Sequence, residues 1–364
     1  MEPRDPAGRS ADEARLAALL DGFRAGRRPA LARVISLVED ERPGFETVLD
    51  ELHAATGHAH RIGITGPPGA GKSTLTAALV QRFRDAGERV GVVAVDPTSP
   101  FTGGALLGDR IRMHEVGLDE GVFIRSMASR GSLGGLAVST KEVADVMDAF
   151  GFDRIIIETV GVGQSELEIA AAADTTVVVL VPESGDSIQA MKAGLMEIAD
   201  LFVVNKADRP GAQRLARDIE MMLHLRAGNV RPKAGRRWDA GHHGVAGALG
   251  RGRPVEPEPA ATSAPAGWEI PVLQTVASEG KGIDELAAAL DTHKAWLETS
   301  GTLSRKRRER LAGRVRDAVL RAAAAVVWRE RGGEAMLEEA LPELESGAVS
   351  PYQVAARIVR AALG

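Results

Sequence analysis

The chain has 364 residues, a formal charge of -5, 44% hydrophobic residues and no cysteine. That composition excludes a largely disordered chain, a disulfide scaffold and any thiolate metal or cysteine-nucleophile site. The mildly acidic balance argues against a dedicated nucleic-acid binder. Lysine is scarce beside arginine, so each lysine is worth placing.

The N-terminus MEPRDPAGRSADEARLAALL has no apolar signal core and carries four acids, so neither a secretory nor a transit segment is expected. The longest strongly apolar run, Val177 to Val181, is far short of a membrane span. The expectation is a cytoplasmic protein that engages neither membrane nor nucleic acid.

Residues 1–10 read as a loose tail. From Ala11 to about Gly57 the apolar spacing is helical: Leu16, Leu19, Leu20 and Phe23 share one face, and Leu31, Val34, Ile35 and Val38 another. Residues 1–58 are therefore expected to form a helical extension.

From Arg61 short apolar runs alternate with amphipathic stretches. The runs are Ile62–Thr65, Val90–Val95, Arg154–Glu158, Thr175–Val181, Leu201–Val204 and Val272–Val276. Six such runs predict an α/β, doubly wound, mostly parallel sheet over 59–300, with helices on both faces. A helix is expected over Ser187–Ala199. Residues 229–267 are rich in Gly, Pro and Arg and read as a mobile insertion. His242 and His243 lie there, adjacent and without a third ligand nearby. Beyond residue 301 three helices are expected. Leu311, Val315, Ala318, Ala322 and Val326 form an apolar stripe, and RKRRER (305–310) reads as a solvated face.

Gly66-Pro67-Pro68-Gly69-Ala70-Gly71-Lys72-Ser73, followed by Thr74, fits the phosphate-binding loop G-x-x-x-x-G-K-[ST] between a strand and a helix. Its backbone N–H groups wrap phosphates, Lys72 reaches the β- and γ-oxygens, and Ser73 offers a hydroxyl to Mg²⁺. Asn205-Lys206-Ala207-Asp208 follows an apolar strand. Asp208 can accept both the N1–H and N2–H₂ of guanine, a donor pair adenine lacks. The stem of Lys206 can cover the ring. Ala277-Ser278, with Glu279 beside it, is a candidate contact to the guanine O6. Asp96, Asp109 and Glu158 are candidate carboxylates for the ion. Glu158-Thr-Val-Gly161 looks like the D-x-x-G switch of GTPases, with Gly161 sensing the γ-phosphate. Val162 stands where Ras-like proteins place their water-orienting Gln. Gln164 is a candidate substitute, and slow, partner-stimulated hydrolysis is expected.

Together GPPGAGKST, VDPTSPFTGGALLGDRIRM, ETVGVGQSE, NKAD and SPYQVAARIV resemble the MeaB/ArgK family of P-loop GTPases over nearly the whole chain. The resemblance implies a chaperone of an adenosylcobalamin-dependent acyl-CoA mutase, usually methylmalonyl-CoA mutase. GTP would gate cofactor delivery from an adenosyltransferase, with cobalamin held by the partner. It further implies switch I at Asp96 to Arg112, switch II at Glu158 to Glu168, and a third switch at Glu183 to Lys192 carrying Gln189 and Lys192. A C-terminal homodimerisation arm is implied as well. The competing readings are a nickel-insertion GTPase, which the missing cysteine disfavours, an ATP-dependent metabolite or transport-protein kinase, which NKAD opposes, and a non-enzymatic interaction protein.

Overall fold

The computed structural model describes residues 6–96, 116–128, 138–159, 165–182, 194–226 and 267–363. Two compact units divide the chain, Met1–Ser300 and Gly301–Gly364.

The first unit opens with α1 (Pro6–Arg24), α2 (Arg28–Glu39) and α3 (Phe45–Leu52). Helix α1 starts at Pro6, so residues 6–10 of the expected loose tail are helical, and residues 1–5 lie outside the described residues. Strands and helices then alternate. They are β1 (His60–Thr65), α4 (Lys72–Asp85), β2 (Val90–Asp96), β3 (Val122–Ala128), α5 (Val138–Ala149), β4 (Arg154–Thr159), α6 (Ser165–Ala172) and β5 (Thr175–Leu180). The unit closes with β6 (Leu201–Asn205), α7 (Ala212–Arg226), β7 (Val272–Thr275) and α8 (Ile283–Thr299).

The strands form one sheet in the order β3-β2-β4-β1-β5-β6-β7. All of its pairings are parallel. Seven strands replace the six that the apolar runs suggested. The seventh, β3, reads VFIRSMA. It lies at the sheet's edge, and Arg125 breaks its apolar run to donate from Nε to Glu39 of α2 at 2.8 Å. Arg28 of α2 also donates to the carbonyls of Glu120 and Val122, each at 2.6 Å. Of the helix expected over Ser187–Ala199, Met196–Ile198 is helical, and residues 187–193 lie outside the described residues.

Period-2 alternation sorts the buried strand residues onto two faces. Ile155 and Ile157 pack with Val143 and Met147 of α5 and with Leu31, Val34 and Ile35 of α2. The N-terminal helices thus share the core of the sheet. Ile62, Ile64, Ile156 and Val177 face Leu75 and Leu79 of α4 and Leu286 and Leu290 of α8. Gly63 has no room for a side chain, because a Cβ there would meet Ile169 at 2.8 Å.

A buried polar chain crosses the amino ends of the strands. The Arg154 guanidinium donates to His60 Nδ1 at 3.1 Å. Because guanidinium only donates, His60 carries its proton on Nε2 and passes the sequence on to Thr175 Oγ1 at 2.8 Å. Thr175 then donates to His293 Nδ1 at 2.8 Å, and His293 Nε2 faces Asp200 at 3.5 Å. Burial, partly opposed by Asp174, pushes the His60 pKa down to about 3.

The second unit holds α9 (Thr302–Ala325), a π-helical turn (Val326–Glu330), α10 (Gly333–Glu345) and α11 (Pro351–Leu363). Its small core is Ala340, Val354 and Ile358, with Met336 and Leu337 against it. Leu311, Val315 and Val319 share one side of α9 and are 45%, 63% and 60% exposed, while Leu320, on another side, is 68% exposed.

Candidate nucleotide site

In a doubly wound sheet, ligands gather at the carboxyl ends of the strands. There β1 runs into the glycine-rich loop, β4 delivers Glu158, and β6 and β7 end at Asn205 and Thr275. Asp96 closes β2 in register with Ala128.

The loop is shaped by close backbone approach. A Cβ at Gly66 (φ 140°) would fall 2.0 Å from the Val179 carbonyl oxygen, and one at Gly71 (φ 83°) would fall 2.5 Å from Asn205 Nδ2. Glycine is required at both positions. Gly71 caps α4, whose first turn presents Lys72, Ser73 and Thr74. Lys72 and Ser73 are buried, and Thr74 is exposed. The Lys72 ammonium donates back to the carbonyls of Gly66 (2.9 Å) and Pro67 (3.1 Å), so it is folded over its own loop.

The Ser73 hydroxyl donates to Glu158 Oε1 at 2.6 Å, and both residues are buried. A hydroxyl and a carboxylate side by side are hard oxygen donors of the kind Mg²⁺ takes. This observation fits the residues to that ion. Beside them Thr159 donates to Thr65 at 3.1 Å, tying the ends of β4 and β1.

Asn205 is the hub of the site. Its Nδ2 donates to the Ala70 carbonyl at 2.9 Å, while Oδ1 accepts from Thr275 Oγ1 at 3.0 Å and from the Ala277 N–H at 3.2 Å. One buried amide thus joins the phosphate loop, the end of β7 and the Ala277-Ser278-Glu279 turn. Lys206 sits in the left-handed region (φ 57°), unusual for a residue with a side chain. Its ammonium donates to the Gly69 carbonyl at 2.9 Å. Asp208, Ser278 and Glu279 are exposed. Lys281 Nζ lies 2.6 Å from Glu279. Its pKa is raised mainly by that bond, with the Asp208 charge contributing as well.

The structure therefore brings together residues 66–74, Glu158, Asn205, Lys206 and the turn at 277–279. Asp109, Gly161, Gln164, Gln189 and Lys192 lie outside the described residues, as do His242 and His243. The strand-end position of Asp96 is described, its side chain is not. Thr275 and Lys281 were absent from the sequence-derived set. Thr275 sits where β7 ends beside β6, so only strand register exposes its role. Lys281 was legible as one of the few lysines, two residues beyond Glu279.

A parallel seven-stranded sheet, a glycine-rich loop opening a helix and a strand-end NKAD define a P-loop nucleotide-binding protein of the GTPase class. Over residues 31–331 the chain matches the model of the methylmalonyl Co-A mutase-associated GTPase MeaB. The chain belongs to that family. It is 41% identical over 346 residues to a putative GTPase of Pyrococcus horikoshii, covering 95% of this chain and 98% of that one. It is 35% identical over 305 residues to the GTPase ArgK of Escherichia coli, covering 82% of each. With the mitochondrial methylmalonic aciduria type A homolog of Mus musculus it shares 39% identity over 204 residues, 52% of this chain and 49% of the relative. The crystal structure of a LAO/AO transport system kinase superposes with a TM-score of 0.63 at 27% identity, covering 96% of this chain and 97% of that one.

Proposed function

We propose that this chain is a GTP-hydrolysing chaperone that gates adenosylcobalamin delivery to a cobalamin-dependent acyl-CoA mutase, with methylmalonyl-CoA mutase the favoured client, and that protects or reactivates it. The observation that carries the nucleotide part is the Asn205 bridge. It locks the NKAD segment onto the phosphate loop, so the base and phosphate ends of one ligand are read by one rigid body. The family match supports the client.

In this reading Lys72 leaves the Gly66 and Pro67 carbonyls to meet the β- and γ-oxygens. Residues 66–74 supply backbone N–H groups along the phosphates. Ser73, Glu158, Asp96 and Asp109 hold Mg²⁺, directly or through water. When bound, that ion offsets the charge developing on the phosphates. Asp208 accepts from guanine N1–H and N2–H₂, the stem of Lys206 covers the ring, and the Ser278–Glu279 turn lies by O6. Water attacks the γ-phosphorus and the bond to the bridging oxygen breaks, giving GDP and phosphate. Gly161 reports the γ-phosphate, and Gln164 orients the water. Gln189 and Lys192 face the client. Adenosylcobalamin passes from an adenosyltransferase to the mutase, which holds it, and this chain does not carry it. The exposed α9 stripe serves a homodimer.

The test is phosphate release by the purified full chain, with and without the apo-mutase and with GTP in excess. The reading expects the mutase to accelerate release by about tenfold or more. An unchanged rate, with no GTP-dependent complex, overturns the chaperone assignment.

A further inference from the structure

Beside the NKAD segment, and lined by Ala207 from it, lies a cavity of about 490 Å³. Its walls include Ala207, Arg209, Pro210, Arg214, Arg217 and Asp218. Three guanidiniums stand against one carboxylate there, on a chain whose overall charge is -5. Arg214 is 3.9 Å from Asp218 and 87% exposed. Arg217 is exposed as well.

The helix that lines the cavity carries an amphipathic strip. Arg214, Arg217, Met221 and Leu225 follow one another at i, i+3, i+7 and i+11 and so share one face of α7. Met221 is 56% and Leu225 55% exposed. The opposite face buries Ala212, Leu215, Ala216 and Ile219 against the sheet. The outer strip therefore has a cationic end and an apolar end, and the core uses neither. Gly211, at the head of α7, backs onto Pro182, with a Cβ there 3.6 Å from the proline ring.

We infer that this cavity and the outer face of α7 form a docking groove for a client segment that places acidic side chains against Arg214 and Arg217 and aliphatic ones over Met221 and Leu225. Charge complementarity fixes the acidic end, and the exposed thioether and isobutyl groups fix the apolar one. A nucleic-acid backbone satisfies only the first, and a chain of net negative charge repels a polyanion elsewhere. The partner named by the proposed function is the mutase, so the inference rests on that reading and adds where the client binds.

The experiment measures association and dissociation of the full chain on immobilised methylmalonyl-CoA mutase apoenzyme, with a non-hydrolysable GTP analogue at low and physiological salt. The variants are Arg214→Glu with Arg217→Glu, and Met221→Ser with Leu225→Ser. All four side chains are solvent-facing, so GDP affinity is expected to stay at the wild-type value, which reports an intact fold. The charge reversal should slow association about tenfold at low salt and flatten its salt dependence. The apolar pair should speed dissociation about tenfold. Variants that match the wild type in both rates and in salt dependence remove the groove while leaving the mutase reading intact. A wild-type chain that does not bind the mutase at all overturns both.

Discussion

The Ser73 hydroxyl donates to Glu158 Oε1 at 2.6 Å and thereby joins the first turn of α4 to the end of β4. The two side chains are buried, so this pairing is both a structural strut and the best-placed pair of oxygens for a divalent cation. Glu158→Gln keeps the shape and removes the charge. It is expected to lower GTP hydrolysis about a hundredfold in Mg²⁺, while GDP affinity in chelator stays near wild type. Phosphate release and a GDP titration in EDTA check both halves. Equal loss under both conditions would make Glu158 a strut alone.

Asn205→Ala removes three hydrogen bonds at once, to Ala70, Thr275 and Ala277. Its partners stay buried and lose their mates, which costs about 2–3 kcal/mol. The denaturation midpoint of the nucleotide-free chain should fall accordingly, and GDP affinity should fall with it, because the two ends of the site are no longer fixed to each other. A midpoint unchanged in urea would show that the bridge carries no stability.

Acid should destabilise the protein through His60. Its folded pKa of about 3 lies below the ordinary 6.5, so the unfolded chain takes up the proton first as pH falls. Stability from this group is complete above pH ~6.5 and is lost progressively towards pH ~3, by roughly 2 kcal/mol at pH 5. Burial of the ring is the main reason, and the geometry adds to it. Nδ1 already accepts from Arg154, and a second proton there would set donor against donor beside a guanidinium. His60→Asn should flatten the dependence of the midpoint on pH between 5 and 7. A slope identical to wild type would place the acid sensitivity elsewhere.

Truncation before residue 303 is expected to give monomers. Val315, Val319 and Leu320 lie open on α9. Exposed aliphatic side chains in this number on one helix mark an association surface. Light scattering on the full and truncated chains decides it. A dimer that survives truncation puts the interface in the first unit.

The parallel core and the phosphate loop were legible because their signals are local. Residues 66–73 follow a fixed spacing, and central strands buried on both faces read as unbroken apolar runs, as Ile155-Ile156-Ile157 does. Strand β3 was not legible, because Arg125 and Ser126 interrupt its apolar run, and only the fold shows Arg125 turned to Glu39 of α2. The sharing of one core by α2 and β4 was hidden as well, since helical periodicity shows which face is apolar and not what it meets. Within the site, the NKAD residues were readable as a motif. The Asn205 bridge to Ala70 and Thr275 joins residues far apart in sequence, and only the strand order β5-β6-β7 beside β1 brings them together.

The central claim is that Asp208, held against the phosphate loop through Asn205 and Lys206, makes this a guanine-specific site. The most direct test is a calorimetric titration of GDP, ADP and xanthosine diphosphate into the wild-type chain and Asp208→Asn. The wild type should prefer GDP over ADP by about a hundredfold or more, and Asp208→Asn should move that preference to xanthine, whose acceptor faces the new amide. Equal affinity of the wild type for GDP and ADP, or a GDP affinity unmoved by Asp208→Asn, would contradict it.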